Sequence, residues 1–259
     1  MNDYHCHRTV ASQTHTKKPT IWKFLSPRFW IGFLTHLVRE GDARLFGVDY
    51  RRYHQILRQR VLDGGCNSLL DVGCGENSPV SRFAAEISYR VGVDAHLQSI
   101  EKSRIAGIHS EYVVKDILEI GESFQTCSFD CVTLLEVIEH LPRAEGERLL
   151  EQCERIARLK VVVSTPNGFV LQHPEPDNPF QEHLSGWSAE DFRSRGYEVT
   201  GVAGWKCFRG SLMRPKWRPH SIFGRLSLIT EAWFEDRPDQ AFQILCVKEL
   251  SQSDEVDSR

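Results

Sequence analysis

Ser68–Gly75 reads SLLDVGCG, and this stretch decides the fold. Apolar residues run into the acid Asp71, and Gly73 and Gly75 then bracket a single residue. A buried strand of a parallel sheet reads this way when it ends in a turn where the backbone comes close to a ligand. Ser78 can cap a following helix, and Pro79 suits its first position, where no amide donor is needed. Val80, Phe83, Ala84 and Ile87 recur at helical spacing and predict a helix with one apolar face. The unit is strand, glycine turn, helix.

A dinucleotide site would want a third glycine, but that position is Ser78. The carboxylate at Asp71 suits a ligand carrying an amino group or another positive charge. S-adenosylmethionine carries both an ammonium and a sulfonium. The string DVGCG at Asp71–Gly75, followed by GVDAH at Gly92–His96, resembles the cofactor-binding motifs of class I S-adenosylmethionine-dependent methyltransferases. It is similar in particular to the group that includes ubiquinone-biosynthesis-type enzymes, and the resemblance covers residues from about 65 to 205. The fold expected is α/β: a Rossmann-like, doubly wound sheet, mostly parallel with an antiparallel last strand, and helices on both faces.

Further strands follow in order. Arg90–Asp94 is a second strand ending in a carboxylate 19 residues past Gly75, an offset at which an acid accepts ribose hydroxyls. Glu111–Val114 is a third strand and Phe129–Leu135 a fourth, which runs into EVIEHLP at Glu136–Pro142. Val161–Val163 is a fifth, closed by STPNG. Tyr197, Val199 and Val202 mark a sixth, and Phe242–Val247 the last. Ser188 and Asp191 form a capping pair for the helix between the fifth and sixth strands.

The resemblance implies that Asp71 and the backbone of Gly73, Cys74 and Gly75 hold the methionine end of the cofactor. Asp94, with Ala95 beside it, would hold the ribose, and Asp116 and Ile117 would border the adenine. Glu136 would lie near the methionine portion, mainly through its backbone. A hydroxyl acceptor must lose a proton, and His140 and His183 are the candidate bases, because imidazole titrates near neutrality. Each also has a structural alternative: His140 capping the helix that begins at Pro142, and His183 anchoring its loop.

The chain divides into a polar tail at 1–20, expected to be disordered, a helical extension at 21–64, and the methyltransferase domain at 65–250. A substrate-side loop at 169–187 and an insertion at 205–240 with one helix interrupt the domain. The aromatic segment 21–38 is interrupted by Lys23, Pro27, Arg28 and His36, too broken for a membrane span. It reads as a cover for the cleft, a dimer contact, or a helix making peripheral contact with a membrane.

Composition narrows the function further. The formal net charge is −3 over 259 residues, but residues 1–65 hold 11 Lys/Arg against 5 Asp/Glu, leaving the remainder at −9. That acidic remainder argues against a nucleic-acid partner, which needs a phosphate-binding surface. Eight cysteines lie scattered with no CxxC pair, so a zinc ribbon is not indicated, no metal site is expected, and a reducing cytosol fits. The reaction expected is methyl transfer to a small-molecule acceptor, lipid-linked or saccharide, with O-methylation favoured. A nucleic-acid or protein methyltransferase and a non-catalytic cofactor-binding scaffold are the alternatives.

Overall fold

The computed structural model describes residues 51–174, 177–210, 215–218 and 220–250. The expectations for the tail at 1–20 and for residues 21–50 of the helical extension, the segment 21–38 included, lie outside the described residues.

Seven strands form one sheet: β1 (Ser68–Val72), β2 (Tyr89–Asp94), β3 (Glu111–Val114), β4 (Phe129–Leu135), β5 (Ala157–Pro166), β6 (Glu198–Trp205) and β7 (Ala241–Glu249). Their order across the sheet is β3-β2-β1-β4-β5-β7-β6. β1 pairs in parallel with both β2 and β4, and β4 pairs in parallel with β5. β7 enters antiparallel between β5 and β6, as expected of the last strand. The chain therefore leaves β1 in one direction and later resumes on its other side at β4. Such a reversal opens a crevice at the carboxyl ends of the strands, where ligands of open α/β sheets bind.

The central strands are buried on both faces, and their side chains alternate between two cores. Leu70, Val132, Leu134, Val161, Val163, Ile244 and Cys246 point to one core with Leu149, Leu150, Cys153 and Ile156 of helix Arg143–Ile156. Leu69, Cys131, Val162, Leu245 and Val247 point to the other, against Tyr53, Leu57 and Val61 of helix Arg51–Leu62. In chain order the α-helices among the described residues are α1 (Arg51–Leu62), α2 (Leu97–Ala106), α3 (Ile120–Ser123), α4 (Arg143–Ile156), α5 (Ala189–Arg193) and α6 (His220–Phe234).

One element differs from the sequence reading. The helix expected after the glycine turn is instead two 3₁₀ turns, Pro79–Arg82 and Ala84–Glu86, broken at Phe83 with φ −138° and ψ 14°. Ser78 does cap the first turn, its hydroxyl accepting from the Val80 amide. Val80, Phe83 and Ile87 are buried as the spacing requires. Few residues are available here to run back along β1 before β2 begins. A 3₁₀ turn rises about 2.0 Å per residue against about 1.5 Å for an α-helix, so it covers that distance with less chain.

Candidate active site

The carboxyl ends of β1 to β4 place the cofactor residues of the sequence reading along one edge. Gly73 follows β1 at φ 70°, and its amide and that of Cys74 donate to the Val93 carbonyl of β2 at 2.8 and 3.0 Å. A Cβ at Gly73 would lie 2.5 Å from Val137 Cγ2, so only glycine fits beneath the turn after β4. Gly75, at φ 56°, faces open space: a Cβ there would meet nothing within 4 Å. This leaves the outer side of the turn clear for a ligand.

Asp94 ends β2. Its Oδ2 accepts the Gly75 amide at 2.9 Å and its Oδ1 the His96 amide at 2.8 Å. The carboxylate thus ties the glycine turn to the start of α2, and each oxygen keeps a further lone pair for a hydroxyl. Ala95 follows, half-buried. Asp116 stands exposed beyond β3, its Oδ1 capping the 3₁₀ turn that Ile117 opens. These groups fit a nucleoside laid across β1, β2 and β3.

Asp71 sits elsewhere than the sequence reading placed it. It is 1% exposed, beneath the turn, and all its contacts are internal. Oδ2 accepts Ser78 Oγ at 2.5 Å and lies 2.9 Å from His109 Nε2, while Oδ1 accepts Thr133 Oγ1 at 2.7 Å. Thr133 is its register partner on β4. Asp71 therefore braces the turn from below. Burial also pushes the neighbouring Cys74 thiol up, while its amide is engaged by the Val93 carbonyl. Sequence reasoning missed His109, a single histidine in the turn before β3, which nothing in its local pattern marks.

After β4 the chain turns sharply. Glu136 takes φ 58°, uncommon for a residue with a side chain, and its amide donates to the Ser164 carbonyl at 2.9 Å. Its carboxylate accepts from Ser164 Oγ at 3.0 Å and from the Gln243 side-chain amide. Tyr53 of α1 reaches the same Ser164 hydroxyl at 2.9 Å. Burial raises the Glu136 carboxyl to about 7, while its two hydrogen bonds hold it down.

The 3₁₀ turn Ile138–His140 then presents Glu139 and His140. The substrate-side loop is stitched to it: Leu184 and Ser185 amides donate to the Glu139 carbonyl at 2.8 and 3.0 Å. Trp187, fully buried, donates from its indole to the Ile138 carbonyl at 3.3 Å and packs under Arg143, 3.8 Å from ring centre to guanidinium. This anchoring brings His183 beside His140, ring centres 4.8 Å apart. One donor atom from each of Glu139, His140 and His183 lies within 4.8 Å of the others.

Both imidazoles are oriented in the same way. His140 Nδ1 is 3.0 Å from the Glu182 carbonyl, and His183 Nδ1 is 2.6 Å from the Val170 carbonyl. A carbonyl only accepts, so each Nδ1 carries the hydrogen and each Nε2 presents a bare lone pair. Burial lowers the pKa of both rings and favours their neutral forms. Burial, and then the charge of Glu136, pushes the Glu139 carboxyl well above the usual carboxylate range; Thr165 Oγ1 donates to it at 3.0 Å. Two imidazoles fixed through Nδ1 and facing a carboxylate form a ligand set for a divalent transition metal. The sequence reading had named both histidines as bases and expected no metal. Glu139, which that reading left out, puts two carboxylates and an imidazole within five residues, EVIEH.

A sheet in this order, a glycine turn after its first strand and acids at the tips of the next two define a class I S-adenosylmethionine-dependent methyltransferase. The chain resembles that class: residues 70–163 match the family model described as methyltransferase domain. Over 116 residues it is 28% identical to the ubiquinone biosynthesis O-methyltransferase of Xanthomonas oryzae, covering 40% of this chain and 46% of that protein. The chain thus spans about half the length of that curated relative. It is 27% identical over 179 residues to a protein of Encephalitozoon cuniculi described as a methyltransferase, covering 65% of this chain and 81% of that one. In fold it is similar to the crystal structure of an S-adenosylmethionine-dependent methyltransferase from Archaeoglobus fulgidus, with a TM-score of 0.51, 18% identity, and coverage of 85% and 99% of the two chains.

Proposed function

We propose that this chain transfers the methyl group of S-adenosylmethionine to a hydroxyl oxygen of a small-molecule acceptor, with a divalent cation at Glu139, His140 and His183. The observation that carries the reading is the shared edge. The cradle of Gly73, Cys74 and Gly75, with Asp94, Ala95, Asp116 and Ile117, and the Glu139–His140–His183 cluster all follow strand ends of one sheet. When bound, the cofactor supplies a methyl on a sulfonium, open to displacement by a nucleophile.

The residues of the chain then have separate tasks. The glycine turn gives the methionine end a clear surface at Gly75, with Asp71 stiffening the turn from below through Ser78, Thr133 and His109. Asp94 accepts ribose hydroxyls on lone pairs left by the Gly75 and His96 amides, and Asp116 and Ile117 border the adenine. Glu136 contributes its backbone at the methionine portion, since its side chain is engaged by Ser164 and Gln243. Holding the two reactants in line supplies much of the rate, about 7–11 kcal/mol in favourable systems.

His140 and His183 point bare Nε2 lone pairs into the acceptor side. There, with Glu139, they would hold the cation, which would supply Lewis-acid activation of an acceptor hydroxyl. Without metal, either ring remains a base for the same proton. The O-methyltransferase among the relatives supports oxygen as the acceptor atom, and lipid-linked and saccharide compounds both offer hydroxyls.

Two experiments test the reading. The purified chain is incubated with methyl-labelled S-adenosylmethionine and panels of phenols, lipid extracts, saccharides, RNA and protein. Label in a small hydroxyl compound supports the proposal; label only in RNA or protein, or cofactor binding with no transfer, contradicts it. Metal content after dialysis against manganese or zinc tests the cluster, with about one ion per chain expected and none in His183→Ala.

A further inference from the structure

Helix α6 is turned inside out. Ser227, Thr230 and Glu231 are buried against the protein, Ser227 at 1% exposure, while Ile229 and Trp233 are 64% and 66% exposed. Ile222 and Leu226 are exposed on the same side. Positions 222, 226, 229 and 233 are spaced as one helical stripe, about 16 Å long at ~1.5 Å per residue.

The inner face buries polar side chains beside Phe234, which stacks on Trp205. Arg209 Nε donates to Ser227 Oγ at 2.7 Å, and its guanidinium faces Glu231 at 3.8 Å. Ser227 Oγ donates to the Ala203 carbonyl of β6 at 3.3 Å, and Thr230 Oγ1 to the Ser227 carbonyl at 2.8 Å. A Cβ at Gly201 or Gly204 of β6 would fall 2.0 Å from the Phe234 carbonyl oxygen or 2.3 Å from that of Ser227. The helix backbone therefore lies directly on β6, and its rotation is fixed. A helix facing water carries its apolar stripe inward. An outward stripe held this firmly is a surface for an apolar partner.

The flanking sequence says which partner. Residues 205–220, immediately before and into the helix, hold Lys206, Arg209, Arg214, Lys216 and Arg218 and no Asp or Glu. Lys206, Lys216 and Arg218 are exposed, as is Trp217, whose indole donates to the Cys207 carbonyl at 3.2 Å. An apolar stripe ending in tryptophan beside an exposed basic run is the composition of a helix lying in the headgroup layer of an anionic membrane. We propose that α6 and the basic run before it dock this protein peripherally on anionic phospholipid. No described helix is long and apolar enough to cross a membrane.

The test is vesicle flotation of the full chain with phosphatidylcholine alone and with phosphatidylcholine mixed with phosphatidylglycerol. The protein should float with the mixed vesicles, and added salt should release it. Ile229→Ser with Trp233→Ser should cut the bound fraction at least about tenfold, since two large apolar side chains leave the contact. Its melting temperature should hold, because both side chains are already exposed. Lys216→Glu with Arg218→Glu should weaken binding to the mixed vesicles alone. Wild-type protein that floats with neither vesicle overturns the proposal. So does an Ile229→Ser/Trp233→Ser protein that floats like wild type, which would move the contact elsewhere, to residues 21–38 for example. A dimer that this variant dissolves, without lipid binding, assigns the stripe to a second copy. None of these results depends on methyl transfer.

Discussion

The two halves of the crevice are built by different means. On the β1–β3 side, the candidate surface is mostly backbone: a glycine turn at positive φ, held by its own amides to Val93 and Asp94, and short strand-end acids. On the β4–β5 side it is mostly side chain: Glu139, His140 and His183, positioned by a loop that Trp187 pins in place. Backbone recognition fixes one cofactor and tolerates little change. Side-chain recognition on a loop can be rewritten while the fold stays intact, which is how one fold hosts different acceptors.

This contrast makes separable predictions. The largest effect belongs to the acceptor side: His183→Ala should slow methyl transfer by about 10²–10⁴-fold and leave cofactor affinity unchanged in a binding titration. Normal turnover would make His183 an anchor only, and a parallel loss of cofactor affinity would erase the division between the halves.

Next come the two glycines. Gly73→Ala meets both a left-handed backbone and Val137, and should cost more than ~2 kcal/mol in chemical denaturation. Gly75→Ala meets only the backbone term, about 1–2 kcal/mol, but places a methyl where the ligand lies. Equal stability losses for the two would contradict the packing described under the turn.

His109→Leu should cost about 1–3 kcal/mol by removing one partner of the buried Asp71, with cofactor affinity falling only as far as the turn loosens. Smallest is Ser188→Ala, on the far side of the loop. It removes the capping box with Asp191 at the start of α5, worth about 1 kcal/mol, and a thermal melt should register this without any change in binding.

Much of the cofactor half was legible in the sequence, because its signals are local. A β-rich apolar run ending in an acid and two glycines carries its own geometry, and the spacing from Gly75 to Asp94 is set by one crossover. β3 and β4 read correctly for the same reason. The break at Phe83 was not legible, since the apolar spacing of Val80, Phe83 and Ile87 suits a 3₁₀ path as well as an α-helix. The burial of Asp71 was hidden because two of its partners, His109 and Thr133, come from other strands and loops. The meeting of Glu139 with His183 depends on a loop folding back over 43 residues, which no local pattern records. The sequence placed one helix in the 205–240 insertion but not its rotation, which Gly201 and Gly204 show by the face that rests on β6.

The most direct test of the central claim is calorimetric titration of S-adenosylhomocysteine into the wild-type chain and into Asp94→Ala. The account predicts one site per wild-type chain, and a loss of at least about tenfold in affinity when the acceptor of the ribose hydroxyls is removed. Equal affinities, or a wild-type chain that ignores this nucleoside and takes up a nicotinamide or flavin cofactor, would contradict it.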